Sequence, residues 1–249
     1  RDDFIPKNTY IDKNLFGTHN GQDVYLLEMS NRNNVKVSIT NFGATITSIL
    51  VPDKLGHIEN IVLGYGSLES YLEDSSYIGC LVGRVAGRIS NGAFSINGTN
   101  YKLAENDGGN HIHGGLSGFN KKVFEIRNIH HGPDSVLIDL CYKSQHMEEG
   151  YPGNLDLWVT YELTNENELI LGYRAVTDKA THVNPTNHSY FNLSGKPETA
   201  LHHELFINAD TFVFTDKSYI PTGEIKNVQD TPYDFRVSQE INKSVEQLS

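Results

Sequence analysis

The chain has 249 residues, 38% of them hydrophobic and 20% charged, a composition that suits a soluble globular protein of one large β domain or two small ones. Its 31 acidic residues against 20 basic ones give a net charge of −11; with no basic stripe, such a surface repels phosphate backbones, which excludes nucleic acid as a partner. No apolar run approaches the roughly 18 residues that a membrane helix needs, and Cys80 and Cys141 lie far apart, outside any Cys-x-x-Cys pattern, which argues against a disulfide scaffold or a thiolate zinc site.

The amino end, Arg1-Asp2-Asp3-Phe4-Ile5-Pro6, has neither an initiator methionine nor an apolar signal core. The expectation is a processed or trimmed start and a cytoplasmic location, with export as the alternative. Further along, Val35, Val37 and Ile39 alternate with polar residues, the mark of a half-buried strand. Ser67 to Tyr71 reads as a short turn of helix. Ala93 to Ile96 and Tyr101 to Leu103 flank Asn97-Gly98, a pair suited to the positive φ angles of a type I′ hairpin turn. Val136, Ile138, Leu140 and Tyr142 alternate again. Leu155, Leu157, Val159, Tyr161 and Leu163 form the cleanest run, followed after a polar turn by Leu169, Leu171, Tyr173 and Ala175; the two read as a hairpin. A second short helix is expected within Ser238 to Leu248. Helical periodicity is otherwise scarce, and no repeat or Pro/Ser-rich linker divides the chain. The pattern predicts an all-β fold, a sandwich or barrel, as one domain over residues 1–249.

Three polar segments rich in glycine or histidine interrupt the strands: Gly83-Arg84-Val85-Ala86-Gly87-Arg88-Ile89, Gly108 to Gly115 with His111 and His113, and His182 to Leu193 with His188. Loops of this kind on a rigid β scaffold commonly build binding sites. The plainer readings are that each histidine is structural, that Arg84 and Arg88 pair with surface acids, and that Trp158, Tyr190 and Phe191 belong to the core. Three polar clusters in one apolar, alternating chain weigh against them, because burying such groups unpaired is costly. His111-x-His113 has the form of half a strand metal site, but Gly114 to Gly118 supply no nearby carboxylate. No Gly-x-Ser-x-Gly elbow supports a serine hydrolase.

At these segments the chain resembles the aldose 1-epimerase (galactose mutarotase) family. The resemblance runs from Asn41-Phe42-Gly43-Ala44 through the Gly-Arg segment, the His-Gly-Gly loop, Tyr151-Pro152-Gly153-Asn154-Leu155 and Asn187-His188-Ser189-Tyr190-Phe191-Asn192-Leu193 to Pro232-Tyr233-Asp234-Phe235-Arg236. It implies a large antiparallel β-sandwich with few short helices, and interconversion of the α and β anomers of free aldohexoses such as galactose and glucose. That reaction needs an acid at the ring oxygen and a base at the C1 hydroxyl, facing each other across the sugar. By resemblance His188 is the general acid, and Arg88 and His113 hold the ring oxygen and hydroxyls. No cofactor or metal is implied, and the assembly is a monomer or a homodimer.

Two departures from the family pattern qualify this. Gly87 stands where members carry Asn, so a hydrogen bond to a sugar hydroxyl is lost or supplied elsewhere. The family's catalytic Glu is expected beyond Ser249, along with the strands that close the sandwich; Asp234 is not a substitute for it. The alternatives are a non-catalytic sugar-binding or sensing protein on the same scaffold, and a hexose-6-phosphate 1-epimerase. The second would want more basic residues than Arg84 and Arg88 near the motifs.

Overall fold

The computed structural model describes residues 9–248; the start at Arg1–Pro6, and the glutamate expected after Ser249, lie outside the described residues. Two compact units divide the chain, Arg1–Phe191 and Asn192–Ser249.

The first unit opens with an antiparallel sheet of β1 (Tyr10–His19), β2 (Gln22–Ser30), β3 (Lys36–Thr40), β4 (Thr45–Pro52) and β5 (Ile58–Asn60), paired in that order. A short helix follows, α1 (Leu68–Glu73), begun by Ser67, whose hydroxyl accepts the Ser70 amide. Five small strands come next: β6 (Leu81–Val82), β7 (Arg88–Ile89), β8 (Ala93–Ile96), β9 (Thr99–Lys102) and β10 (His111–Ile112). The β8–β9 hairpin turns at Asn97 and Gly98, with φ of 49° and 78°. Those positive angles are what a type I′ turn demands of its two central residues. A second sheet then runs β11 (Glu125–His131), β12 (Ser135–Ser144), β13 (Leu155–Thr164) and β14 (Leu169–Thr177), again antiparallel in order. The unit closes after β15 (Thr186–Asn187), which pairs back onto β6.

Period two decides how the sheets meet. Leu155, Leu157, Val159 and Tyr161 of β13 are fully buried, and the residues between them face outward. They join Val136, Ile138 and Leu140 of β12 and Leu27, Met29, Val37 and Ile39 of the first sheet in one apolar cluster. Two antiparallel sheets packed face to face make a sandwich, as the alternation predicts. Each such side chain withdrawn from water contributes about 1.5–3 kcal/mol.

Two expectations need correcting. Trp158 is not in the core: it falls on the outward register of β13, where Arg127 and Arg174 lie 5.5 and 4.7 Å from its ring. Tyr190 and Phe191 are 40% and 54% exposed. Phe191 lines an open apolar groove of about 430 Å³ with Val37, Ile49, Leu163 and Leu171.

The second unit holds two small antiparallel pairs, formed among β16 (Glu204–Leu205), β17 (Thr211–Thr215), β18 (Pro221–Asn227) and β19 (Gln239–Glu240), and the helix α2 (Ile241–Val245). Asp234 receives the Arg236 Nε and Nη2 at 2.9 and 2.8 Å, while Arg236 Nη1 reaches Asp210 at 3.0 Å. Asp234 thus anchors an arginine of its own loop.

Candidate active site

Short strand pairings assemble the site from loops distant in sequence. Arg88 pairs with Ile112 across β7 and β10, which brings the residue after β10, His113, alongside Gly87. The His113 amide donates to the Gly87 carbonyl at 3.1 Å, and the Gly87 amide donates to His113 Nδ1 at 3.0 Å. The loop then turns sharply at Gly114, φ 85°, where a Cβ would sit 1.7 Å from the Gly83 carbonyl oxygen. Only glycine allows that approach. On the other side, β15 lies against β6, so His188 is tied by its amide to the Cys80 carbonyl at 2.8 Å and by its carbonyl to the Gly79 amide at 3.1 Å. The result brings the rings of His113 and His188 to 5.3 Å between centroids, nearly perpendicular at 84°.

The hydrogen bond from Gly87 fixes the tautomer of His113. Its Nδ1 must offer a lone pair, so a neutral ring carries its proton on Nε2. Burial pushes the His113 pKa from 6.5 down to about 4, helped by the His188 and Arg88 charges and opposed by Asp107. Near neutral pH His113 is therefore an uncharged donor. Arg88 donates through Nε to the Asp107 carboxylate at 2.6 Å, which sets the plane of its guanidinium. Asp107 is fixed in turn by reciprocal backbone bonds with Asn110. His188 is half-buried and ringed by aromatic groups, with Tyr190 at 5.1 Å and Tyr77 at 6.0 Å. Among the described residues none hydrogen-bonds the His188 ring nitrogens.

Arg88, His113 and His188, the three residues singled out from sequence, thus share one site. His111 does not join it. Fully buried, it places Nδ1 against the Ala104 carbonyl at 2.8 Å and Nε2 against the Tyr151 hydroxyl at 2.7 Å, so both nitrogens are occupied. Arg84 is not a surface ion pair either: it is 2% exposed and its guanidinium serves the carbonyls of Ser144, Gln145, Pro152 and Gly153. Sequence reasoning missed Tyr77 and Asp107. Asp107 carries a faint signal, an acidic residue in the Asp107-Gly108-Gly109 turn just ahead of the histidines; Tyr77 carries none.

A guanidinium, a neutral imidazole donor and a second imidazole, all half-buried, lie close together. Such a set suits an uncharged, hydroxyl-rich ligand and one proton transfer to it. Comparison with known proteins agrees with this. The family description "Aldose 1-epimerase" matches residues 25–248. The chain is 43% identical to the galactose mutarotase of Sus scrofa over 215 residues, 86% of this chain and 61% of that protein. It is 36% identical to the aldose 1-epimerase of Escherichia coli (strain K12) over 89% of this chain and 63% of that protein. Among solved structures, galactose 1-epimerase from Lactobacillus acidophilus NCFM superposes with a TM-score of 0.87 at 33% identity, covering 95% of this chain and 68% of that one. The chain therefore spans about three-fifths of the length of these curated relatives. With its sandwich fold, its ordered motifs and these matches, the chain belongs to the aldose 1-epimerase family.

Proposed function

We propose that the protein interconverts the α and β anomers of free aldohexoses, galactose or glucose, by acid–base opening and closing of the pyranose ring. The observation that carries the proposal is the meeting of the His188 and His113 rings, 5.3 Å apart, beside an Arg88 held in plane by Asp107. In this reading His188 protonates the ring oxygen as the C1–O5 bond breaks. His113, neutral and donating through Nε2, holds the ring oxygen or a neighbouring hydroxyl without competing for the proton. Arg88, whose guanidinium is oriented by Asp107, grips hydroxyl groups of the sugar. A base removes the C1 hydroxyl proton; we assign it to the glutamate that the family resemblance puts beyond Ser249. Once the ring is open, C1 is a carbonyl on a freely turning bond, so closure on the other face yields the second anomer. Proton uptake and release balance over the cycle, and no oxidant or cofactor takes part in the scheme.

The test is optical rotation of freshly dissolved α-galactose or α-glucose. The protein should speed the approach to the equilibrium rotation in proportion to its concentration. Sugar binding in calorimetry without acceleration would turn the reading to a sensing protein, and acceleration confined to hexose 6-phosphates would turn it to a phosphosugar epimerase.

A further inference from the structure

Tyr77 lies outside the motifs quoted above, yet its ring packs beside both histidines. Its centroid is 4.8 Å from that of His113, edge-on at 70°, and 6.0 Å from that of His188. The backbone at Tyr77 has φ 57°, a left-handed conformation that an aromatic residue rarely takes. Such strain persists only where the surroundings over-determine it, and it gathers at functional sites.

The surroundings here are unusually well tied. The Asp74 carboxylate accepts the amides of Ser76 and Ile78, on either side of Tyr77, at 3.0 and 3.1 Å, and the Tyr65 hydroxyl at 3.1 Å. The Lys121 ammonium holds the carbonyls of Tyr71, Leu72 and Asp74 at 2.7–2.9 Å. Two residues on, Gly79 and Cys80 bond the backbone of His188 itself. The Tyr190 hydroxyl closes the ring of contacts on the Ser76 carbonyl at 2.9 Å. The loop that sets Tyr77 is thus the same loop that sets His188. The groups facing His113 are the Arg88 and Asp107 charges, the His188 ring, the Gly87 amide and the Tyr77 ring.

We propose that Tyr77 is a positioning residue for the reaction, whose ring fixes the mutual angle of His113 and His188 and keeps water off His113. The proposal rests on the anomer-interconverting reading for its kinetic consequence, but not for its structural one. With the ring in place His113 stays an uncharged Nε2–H donor and His188 alone exchanges a proton with the sugar. Burial, the chief cause of the low His113 pKa, is in part this ring.

The experiment compares Tyr77→Ala and Tyr77→Phe with the parent protein, following the imidazole titration of His113 by NMR and the kcat and KM for galactose anomer exchange. Tyr77→Ala should lift the His113 midpoint from about 4 by a unit or more toward 6.5 and cut kcat about tenfold with little change in KM. Tyr77→Phe, which keeps the ring, should restore both. Should Tyr77→Ala fold poorly, Tyr77→Asn, whose side chain tolerates positive φ, carries the same expectation. An unmoved His113 titration in these variants overturns the proposal, as does a Tyr77→Phe variant as damaged as Tyr77→Ala, which would point to the hydroxyl. If the parent protein fails to exchange anomers, the functional reading falls while the titration still decides the role of Tyr77.

Discussion

At His113 one backbone hydrogen bond decides what the side chain can do. Because Gly87 N–H occupies Nδ1, the proton of the neutral ring sits on Nε2, and because burial depresses its basicity the ring remains neutral down to about pH 4. The same shift has a consequence for stability. The unfolded chain takes up a proton at this histidine near 6.5, while the folded protein resists until about 4. Stability at this residue is therefore intact above about pH 6.5 and is lost progressively as pH falls toward 4. His111, its pKa also lowered by burial, acts in the same direction. Urea unfolding between pH 7 and pH 4 should show a falling midpoint, and His113→Gln should flatten part of that fall; an unchanged slope in the variant would remove His113 as a cause. At Gly87 no atom lies within 4 Å of a hypothetical Cβ, so the space beside Arg88 is open, while φ at 79° strains any side chain placed there.

Elements of this fold were legible in proportion to how local their signals are. The alternation in β12 and β13 needs only neighbouring residues, and it named the buried face of both strands correctly. Asn97-Gly98 named its turn for the same reason. Trp158 was misread because residue type was preferred to register; its place between Leu157 and Val159 already put it outside. What no local pattern could reveal is the pairing of β6 with β15, over 100 positions apart in the chain, which sets His188 beside Tyr77. Arg84 was legible as a motif residue but not as a structural one. Its guanidinium joins the end of β12 to the loop before β13 through Ser144 Oγ at 3.0 Å and the Pro152 and Gly153 carbonyls at 2.8 Å. Replacing it by leucine strands several buried acceptors, each at a cost of about 1–3 kcal/mol. Arg84→Leu should therefore lose at least about 4 kcal/mol in chemical denaturation. A loss under about 1 kcal/mol would mean that water or a neighbour replaces those bonds.

Over the whole molecule, charge and site are matched in kind. A net charge of −11 disfavours anionic ligands, and the candidate site adds one arginine already tied to a carboxylate and one histidine held neutral. A free sugar meets no electrostatic penalty there. The sandwich supplies rigidity: both sheets share one apolar cluster, and the loops of the candidate site spring from short paired strands. The candidate residues could be singled out in the sequence because His-Gly-Gly and Asn-His-Ser-Tyr-Phe-Asn-Leu are specific strings, whereas Asp107 and Tyr77 come beside them only through the fold.

The central claim is that His188 gives its proton to the ring oxygen of the bound sugar. It is tested most directly by anomer exchange of galactose at equilibrium, followed by NMR magnetisation transfer, in the parent protein and in His188→Gln. Glutamine keeps a polar side chain of similar reach but cannot serve as the acid. The account predicts that kcat falls by about 10²–10⁴ with KM nearly unchanged. Exchange at the parental rate in His188→Gln would contradict it.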